Sequence, residues 1–197
     1  MKLFTLNINT VTPEEFGSAF SVADSERQRY IDCAVKPETK KLRIAADMLA
    51  RKAISEYCSI PQSEILFSKS KSGKPYVLEC DDHFSISHSG EWVICAVDSR
   101  EIGADIEKIR PIRKNIYERF AAPCEIDYIN ESPENLFRIW VLKEAYFKCI
   151  GTGLGANIKN VTFTVDANEI RCSESGFEFQ FLPSPVGYVA AVCIKTR

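Results

Sequence analysis

The sequence lacks the features that mark proteins built around disulfides, clustered zinc ligands or a membrane span. Its eight cysteines are never closer than fifteen positions, so it has no C-x-x-C pair and no zinc-ribbon spacing. No apolar run approaches the roughly 20 residues of a membrane span, and the start turns polar at Asn7, too early for a secretory signal. We therefore expect a cytoplasmic protein with reduced cysteines, although the even cysteine count leaves a disulfide framework open.

An excess of charge of one sign is also missing. Lys and Arg number 25 and Asp and Glu 27, which excludes a histone-like polycation and a disordered acidic tail. The 197 residues are 45% apolar, enough for a core without staples, and no linker rich in Gly or Ser divides them. Residues 26–52 hold eight basic against four acidic side chains, which suits an anionic ligand but also fits a solvated helix face.

Hydrophobic periodicity predicts the α+β class. A helix starts at Thr12 and Pro13, and longer helices are predicted at about 38–57 and 136–150, the second closed by Gly151. The segment from 113 to 130 is predicted to be partly helical, and 72–75 reads as a turn. Alternation predicts strands at 1–10, 84–88, 92–97, 101–107, 161–165, 177–182 and 187–195.

The segment 102–107 contains candidate functional side chains. Residues two apart on a strand share a face, so Asp105 and Glu107 present two carboxylates side by side while Ile106 faces the core. Adjacent carboxylates repel each other, and a hard cation such as Mg²⁺ relieves that repulsion. Two solvated acids on an edge strand remain the simpler alternative.

The helix at 136–150 supplies the matching groups. Trp140, Glu144 and Lys148 follow the spacing i, i+4, i+8 and share one face, with Lys143 beside them. The helix is apolar over most of its circumference, so its charges need partners or a ligand. A surface Glu–Lys pair explains part of this pattern, but three carboxylates and two lysines suit metal-assisted chemistry on a phosphate.

Hydroxyl groups and an imidazole come together near 84–89. Ser85, Ser87 and Ser89 with His88 could hold phosphate oxygens, and Lys74 lies on a tight turn earlier in the sequence. A Ser–His nucleophile is disfavoured, because adjacent strand residues point to opposite faces and no nucleophile-elbow glycines surround them.

The succession of 73–75, 84–89, 102–107 and 140–148 resembles the 4′-phosphopantetheinyl transferases, most closely the Sfp-type branch. The resemblance implies two similar α/β subdomains related by a pseudo-two-fold axis, with residues 1–99 on the coenzyme A nucleotide side and 100–197 on the metal and catalytic side. It also implies a monomer that uses Mg²⁺ and coenzyme A. The implied reaction transfers 4′-phosphopantetheine to a serine of an apo acyl, peptidyl or aryl carrier protein and leaves adenosine 3′,5′-bisphosphate.

The resemblance also implies roles for individual residues. Glu144 is the expected general base, and the expected Mg²⁺ ligands are Asp105, Glu107 and Glu144. The lysines expected to meet the pyrophosphate are Lys143 and Lys148. The coenzyme A nucleotide is expected to contact Gly73, Lys74, Pro75, Ser87 and His88, with Arg27 near the 3′-phosphate. Glu125 is expected as a further acid near the metal, and a basic rim at 108–120 is expected to receive an acidic carrier protein.

Two other functions compete with this interpretation. A metal-dependent nuclease also uses acids and a lysine on strands, but no Glu-x-Lys follows Asp105 and no strongly basic surface is evident. A non-catalytic coenzyme A or carrier-binding module is the second, and it has no need for three metal ligands. We therefore expect no nucleic-acid and no membrane partner.

Overall fold

The computed structural model describes residues 1–23, 25–78, 80–155, 157–167 and 169–196, except the side chains of 114 and 115. The helices are α1 Pro13–Val22, α2 Ser25–Asp32, α3 Pro37–Cys58, α4 Lys114–Tyr117, α5 Ile126–Glu131 and α6 Pro133–Ile150. The strands are β1 Lys2–Asn7, β2 Phe67–Lys69, β3 Pro75–Val77, β4 His83–Ser89, β5 Trp92–Asp98, β6 Ile102–Lys108, β7 Phe163–Asp166, β8 Glu169–Cys172, β9 Phe177–Phe181 and β10 Tyr188–Lys195.

Two three-stranded antiparallel sheets have the same topology. The first has the order β1-β5-β4 and the second β6-β10-β9, so in each the first strand pairs with the last and the penultimate strand lies on the other side. Each of the two sheets is accompanied in the chain by one long helix, α3 or α6, and by one two-stranded hairpin, β2–β3 or β7–β8. The α+β class is confirmed, and the repeated topology agrees with two similar halves. The boundary at residues 99 and 100 stays a prediction.

The sheets lie between the two long helices, and side-chain alternation along the strands divides the core. On β5, Val93, Cys95 and Val97 pack into the cluster that contains α3, while Ile94 and Ala96 face the second sheet. Alternate residues of β6 and β10 meet them there. The other face of β10 packs in the cluster that contains α6, and Gly103 on the other face of β6 lies against the backbone of α6. Strands buried on both faces explain why β5 reads as a continuous apolar run.

Local sequence signals place several element ends. Thr12 caps α1 in a reciprocal capping box with Glu15, as the Thr-Pro signal predicts. Gly151 ends α6 in the left-handed conformation with φ 73°, and Ser132 caps its start by accepting from Asn135 N. The sequence patterns missed α2, β2, β3 and β8, which are short and mostly exposed.

The eight cysteines are free thiols. Among the described residues, no helix has both the length and the apolar character needed to cross a membrane.

Gly103 allows α6 to pack directly on β6. A Cβ atom at this position would overlap the carbonyl oxygen of Ala145 and the backbone nitrogen of Cys149. Backbone atoms of a buried helix cannot turn aside as a side-chain tip can, so only glycine fits this contact. The contact fixes the height of α6 above the strand that carries Asp105.

We predict that Gly103→Ala lowers the free energy of unfolding by at least about 1–3 kcal/mol through overpacking. Gly17→Ala is the matched control, because Gly17 lies inside α1 with nothing within 4 Å of an added Cβ. That control should gain about 0.5–1 kcal/mol. Urea unfolding of both variants checks this. Equal stability of the two would show that the contact between Gly103 and α6 has room for a Cβ atom.

Candidate active site

The centre of the site is the carboxylate of Asp105, on the face of β6 that looks toward α6. Its side chain is buried, and its Oδ1 accepts a 2.7 Å hydrogen bond from Lys148 Nζ and a 2.5 Å hydrogen bond from Ser87 Oγ. Its Oδ2 is also buried but has no hydrogen-bond partner. Burial raises the pKa of Asp105, against the attraction of Lys148.

Glu144 and Lys148 lie one turn apart on α6 and face this carboxylate, as the i, i+4 spacing predicts. Burial, and then the negative charge of Asp105, raise the pKa of Glu144 to about 7. Glu144 forms no hydrogen bond or ion pair within the described part of the chain, whereas Lys148 Nζ also donates to the carbonyls of Ile86 at 3.4 Å and Ala104 at 3.3 Å. The site therefore contains one engaged lysine and one unengaged carboxyl group.

The serines of β4 bind the backbone and carboxylates of β6. Ser85 Oγ accepts from Ala104 N at 2.9 Å, and Ser87 donates to Asp105. Ser89 Oγ donates to Glu107 Oε2 at 2.8 Å. The alternation of the three serines places them on one face of β4, so the hydroxyls join the two halves and hold the acids in position. The role of Ser89 was missed because its partner lies 18 residues away.

The acids are of the right chemistry for a hard divalent cation. An unsatisfied buried carboxylate oxygen on Asp105 and a neighbouring unengaged Glu144 are oxygen donors of the kind Mg²⁺ prefers. Glu107 is already engaged, by Ser89 and by a 3.0 Å ion pair with Arg110. The three carboxylates are not drawn into one tight cluster, so a shared ion would require side-chain movement.

Two adjoining depressions lie beside this cluster and share the residues Gly73, Pro75, Phe84 and Ile86. The smaller has a volume of about 250 Å³ and extends to Lys148 and the loop after α6. The larger has a volume of about 620 Å³ and extends between α2, α3 and β2. The turn before β3 separates them, so one elongated ligand could span both.

Of the residues predicted to bind a nucleotide, Lys74 and Arg27 line these depressions but already have protein partners. Lys74 Nζ donates to the carbonyls of Ile102 at 3.1 Å and Cys149 at 2.7 Å, so it joins the turn to the second half. Arg27 pairs with Asp47 at 3.3 Å in the larger depression.

His88 is exposed at the end of β4, on the face that also carries Phe84 and Ile86. Partial desolvation of the ring, and then the charge of Lys148, lower the pKa of His88. Sequence patterns did not identify Tyr30 or Lys69, which also line the larger depression.

The structure corrects the assignments of Lys143 and Glu125. Both side chains are fully buried, and Lys143 Nζ lies 2.8 Å from Glu125 Oε2 while donating to the carbonyls of Phe120 and Ile158. Lys143 therefore has no donor left for a pyrophosphate, because its three ammonium hydrogens are engaged inside the core. Glu125 accepts from two backbone amides and the lysine, away from the Asp105 carboxylate.

The fold and site define a class of protein: a two-sheet α+β protein with a buried carboxylate, a lysine and a cleft suited to an elongated anion. The 4′-phosphopantetheinyl transferase superfamily matches residues 101–193, and the N-terminal 4′-phosphopantetheinyl transferase family matches residues 10–100.

Individual relatives agree with the family matches. The chain is 30% identical to the 4′-phosphopantetheinyl transferase Sfp of Bacillus subtilis, over 98% of this chain and 92% of that protein. It is 33% identical to the transferase gsp of Aneurinibacillus migulanus, over 85% of this chain and 71% of that one. The structural match to the holo-[acyl-carrier-protein] synthase of Helicobacter pylori in complex with coenzyme A has a TM-score of 0.42 at 22% identity. This match covers 48% of this chain and 99% of that chain. The chain belongs to the 4′-phosphopantetheinyl transferase family, in its Sfp-type branch.

We predict that Lys143→Met destabilises the fold by roughly 3–5 kcal/mol, because it leaves Glu125 as an uncompensated buried charge. The double variant Lys143→Met with Glu125→Gln removes that charge and should recover part of the loss. Urea unfolding measures both. Coenzyme A affinity of folded Lys143→Met should equal that of the parent protein, and a selective loss of affinity without loss of stability would restore the pyrophosphate assignment.

Proposed function

We propose that this chain transfers the 4′-phosphopantetheine group of coenzyme A to a serine hydroxyl of an apo acyl, peptidyl or aryl carrier protein. The observation that carries the proposal is the buried Asp105 carboxylate, which is unsatisfied on one oxygen and bonded on the other to Lys148, a residue that lines the smaller depression. Family membership supplies the chemistry that such a site serves. The second product is adenosine 3′,5′-bisphosphate.

Asp105, Glu107 and Glu144 are the residues that would hold Mg²⁺. A bound ion would supply positive charge to the pyrophosphate as negative charge grows on the leaving group. Ser87 and Ser89 fix the first two carboxylates, and Glu144 is unengaged and able to turn toward them. The side chains thus provide two positioned ligands and one adjustable ligand.

Lys148 acts on the leaving group. Its side chain lines the smaller depression and is 30% exposed, so a pyrophosphate oxygen there can replace one of its two longer contacts, to the carbonyl of Ile86 or of Ala104. The three protein oxygens around it limit its movement and hold the charge at one place. A fixed cation at the point of charge development lowers the barrier without reorganisation during the reaction.

Glu144 accepts the proton of the incoming serine. The reaction needs no nucleophile from this chain, since the attacking hydroxyl belongs to the carrier protein. A general base is most effective when its pKa lies near the working pH, and in the metal-free site burial and the charge of Asp105 raise the pKa of Glu144 toward that range. Its position facing Asp105, one helical turn from Lys148, supports this assignment.

The coenzyme A nucleotide occupies the larger depression in this proposal. Gly73 and Pro75 form its boundary with the smaller depression, and Arg27 is the cation assigned to the 3′-phosphate. His88 on the adjoining face of β4 is assigned to the phosphates.

Both halves of one chain line the smaller depression, which supports a monomer, and coenzyme A as substrate supports a cytoplasmic location.

The carrier protein is proposed to bind next to the acids, at the segment after β6. Arg113 and Arg119 are exposed there, and Ile116 is 46% exposed between them. Two neighbouring cations are already paired, Lys108 at the end of β6 with Glu91 and Arg110 with Glu107. The side chain of 114 lies outside the described residues. Exposed cations around an apolar residue suit an acidic partner.

We predict that Glu144→Gln lowers kcat by about 10²–10⁴-fold, because the amide cannot accept the serine proton. Coenzyme A affinity, measured by calorimetry, should change little. Glu134→Gln is the matched control, since Glu134 lies on the same helix and pairs only with Arg138 at its surface. A Glu144→Gln variant with full turnover would contradict the assignments of both base and metal ligand.

We predict that Arg113→Glu with Arg119→Glu raises the KM for the carrier protein by about tenfold at low salt through lost electrostatic steering. The KM for coenzyme A should not change. Arg171→Glu serves as the control because Arg171 is an exposed cation on β8, paired with Glu169. Steady-state kinetics at two ionic strengths decide this, and an unchanged carrier KM would remove the segment from the docking surface.

A further inference from the structure

A second group of potential metal ligands lies outside the proposed active site. Cys58 is the last residue of α3, and Cys80 and Asp82 lie just before β4. The two sulfur atoms are 3.4 Å apart, and one donor atom from each of the three residues lies within 4.8 Å of the others. In the described part of the chain, no other three His, Cys, Asp or Glu side chains meet this closely.

We propose that Cys58, Cys80 and Asp82 bind one zinc ion, at a site separate from the transferase reaction. None of the three residues lines either depression of the proposed active site. Two thiolates and a carboxylate are ligands that Zn²⁺ accepts, whereas Mg²⁺ prefers an all-oxygen set. The donor chemistry therefore separates this ion from the one assigned to Asp105.

The distances suit a tetrahedral ion. Two sulfurs each bonded at about 2.3 Å to such an ion lie about 3.8 Å apart, so the observed separation of 3.4 Å requires only a small adjustment. All three side chains are half-buried, which limits competition from water while leaving a route for entry. The carboxyl end of the 22-residue helix α3 also carries partial negative charge, which favours a cation beside Cys58.

A disulfide between the two cysteines is the principal alternative. It would require the sulfurs to approach to about 2.05 Å, a larger movement than metal binding needs. The Asp82 carboxylate lies within 4.8 Å of both sulfurs and interacts with the Cys58 thiol, and a disulfide would remove the thiol hydrogen that this contact uses. The third donor therefore favours the ion.

Binding changes no oxidation state. Two Zn–S bonds and one Zn–O bond form, and the two thiols release their protons to solvent. Three protein ligands leave one of the four positions for a water molecule. The ion would tie the end of α3 to the segment between the β2–β3 hairpin and β4, so its expected effect is on stability of the first half.

The test is titration of the full-length, reduced, metal-free protein with Co²⁺ as the spectroscopic probe. We expect one equivalent to give tetrahedral bands and a sulfur-to-cobalt charge-transfer band, both removed by Zn²⁺. Cys58→Ser and Cys80→Ser should each lose charge-transfer intensity. Cys33→Ser is the control, because Cys33 is an exposed thiol that is not part of this group.

Asp82→Asn keeps both thiols and tests the third ligand. It should weaken Zn²⁺ affinity at least about tenfold and leave the folded circular dichroism spectrum unchanged. Zn²⁺ should raise the Tm of the parent protein and not that of Cys80→Ser. Absence of a sulfur band, a band that survives Cys80→Ser, or oxidation to a Cys58–Cys80 disulfide in place of metal binding would each overturn the proposal.

Discussion

The ion pair between Asp105 and Lys148 joins the three elements from which the site is built. Asp105 comes from β6, Lys148 from α6, and Ser87 of β4 completes the contact from the first half of the chain. A carboxylate buried in this way is stable only with a compensating charge and hydrogen bonds. The positions of Lys148 and Ser87 around Asp105 follow from satisfying one oxygen of that group, while the other oxygen is left unsatisfied.

The repeated topology explains why the cleft lies where it does. Each half ends in a central strand that is buried on both faces, and the two sheets pack together through the residues of β5, β6 and β10 that face away from the helices. The turn before β3 reaches across this seam, where Lys74 donates to carbonyls of the second half. The first half thereby contributes the larger depression with its charged residues, and the second half contributes Lys148 and the acids beside it.

The sequence was sufficient for the parts of the fold governed by local periodicity. The alternation of β6 placed Asp105 and Glu107 on one face, and helical spacing placed Glu144 and Lys148 together. It failed for Lys143, because neighbours on a helix point about 100° apart and its partner Glu125 comes from a short 3-10 helix before α5. The polar helix α2 has one buried residue, so it gave no apolar stripe to detect. The serines of β4 were noticed, but their carboxylate partners depend on how the sheets meet.

The most direct test of the central claim is the intact mass of an apo carrier protein after incubation with this chain, coenzyme A and Mg²⁺. The account predicts that the carrier gains the mass of one phosphopantetheine group on its serine, with an equal amount of adenosine 3′,5′-bisphosphate released. Several acyl, peptidyl and aryl carriers should be tried, because the sequence does not select among them. Coenzyme A binding without any mass gain on any carrier would contradict the account and identify a binding module.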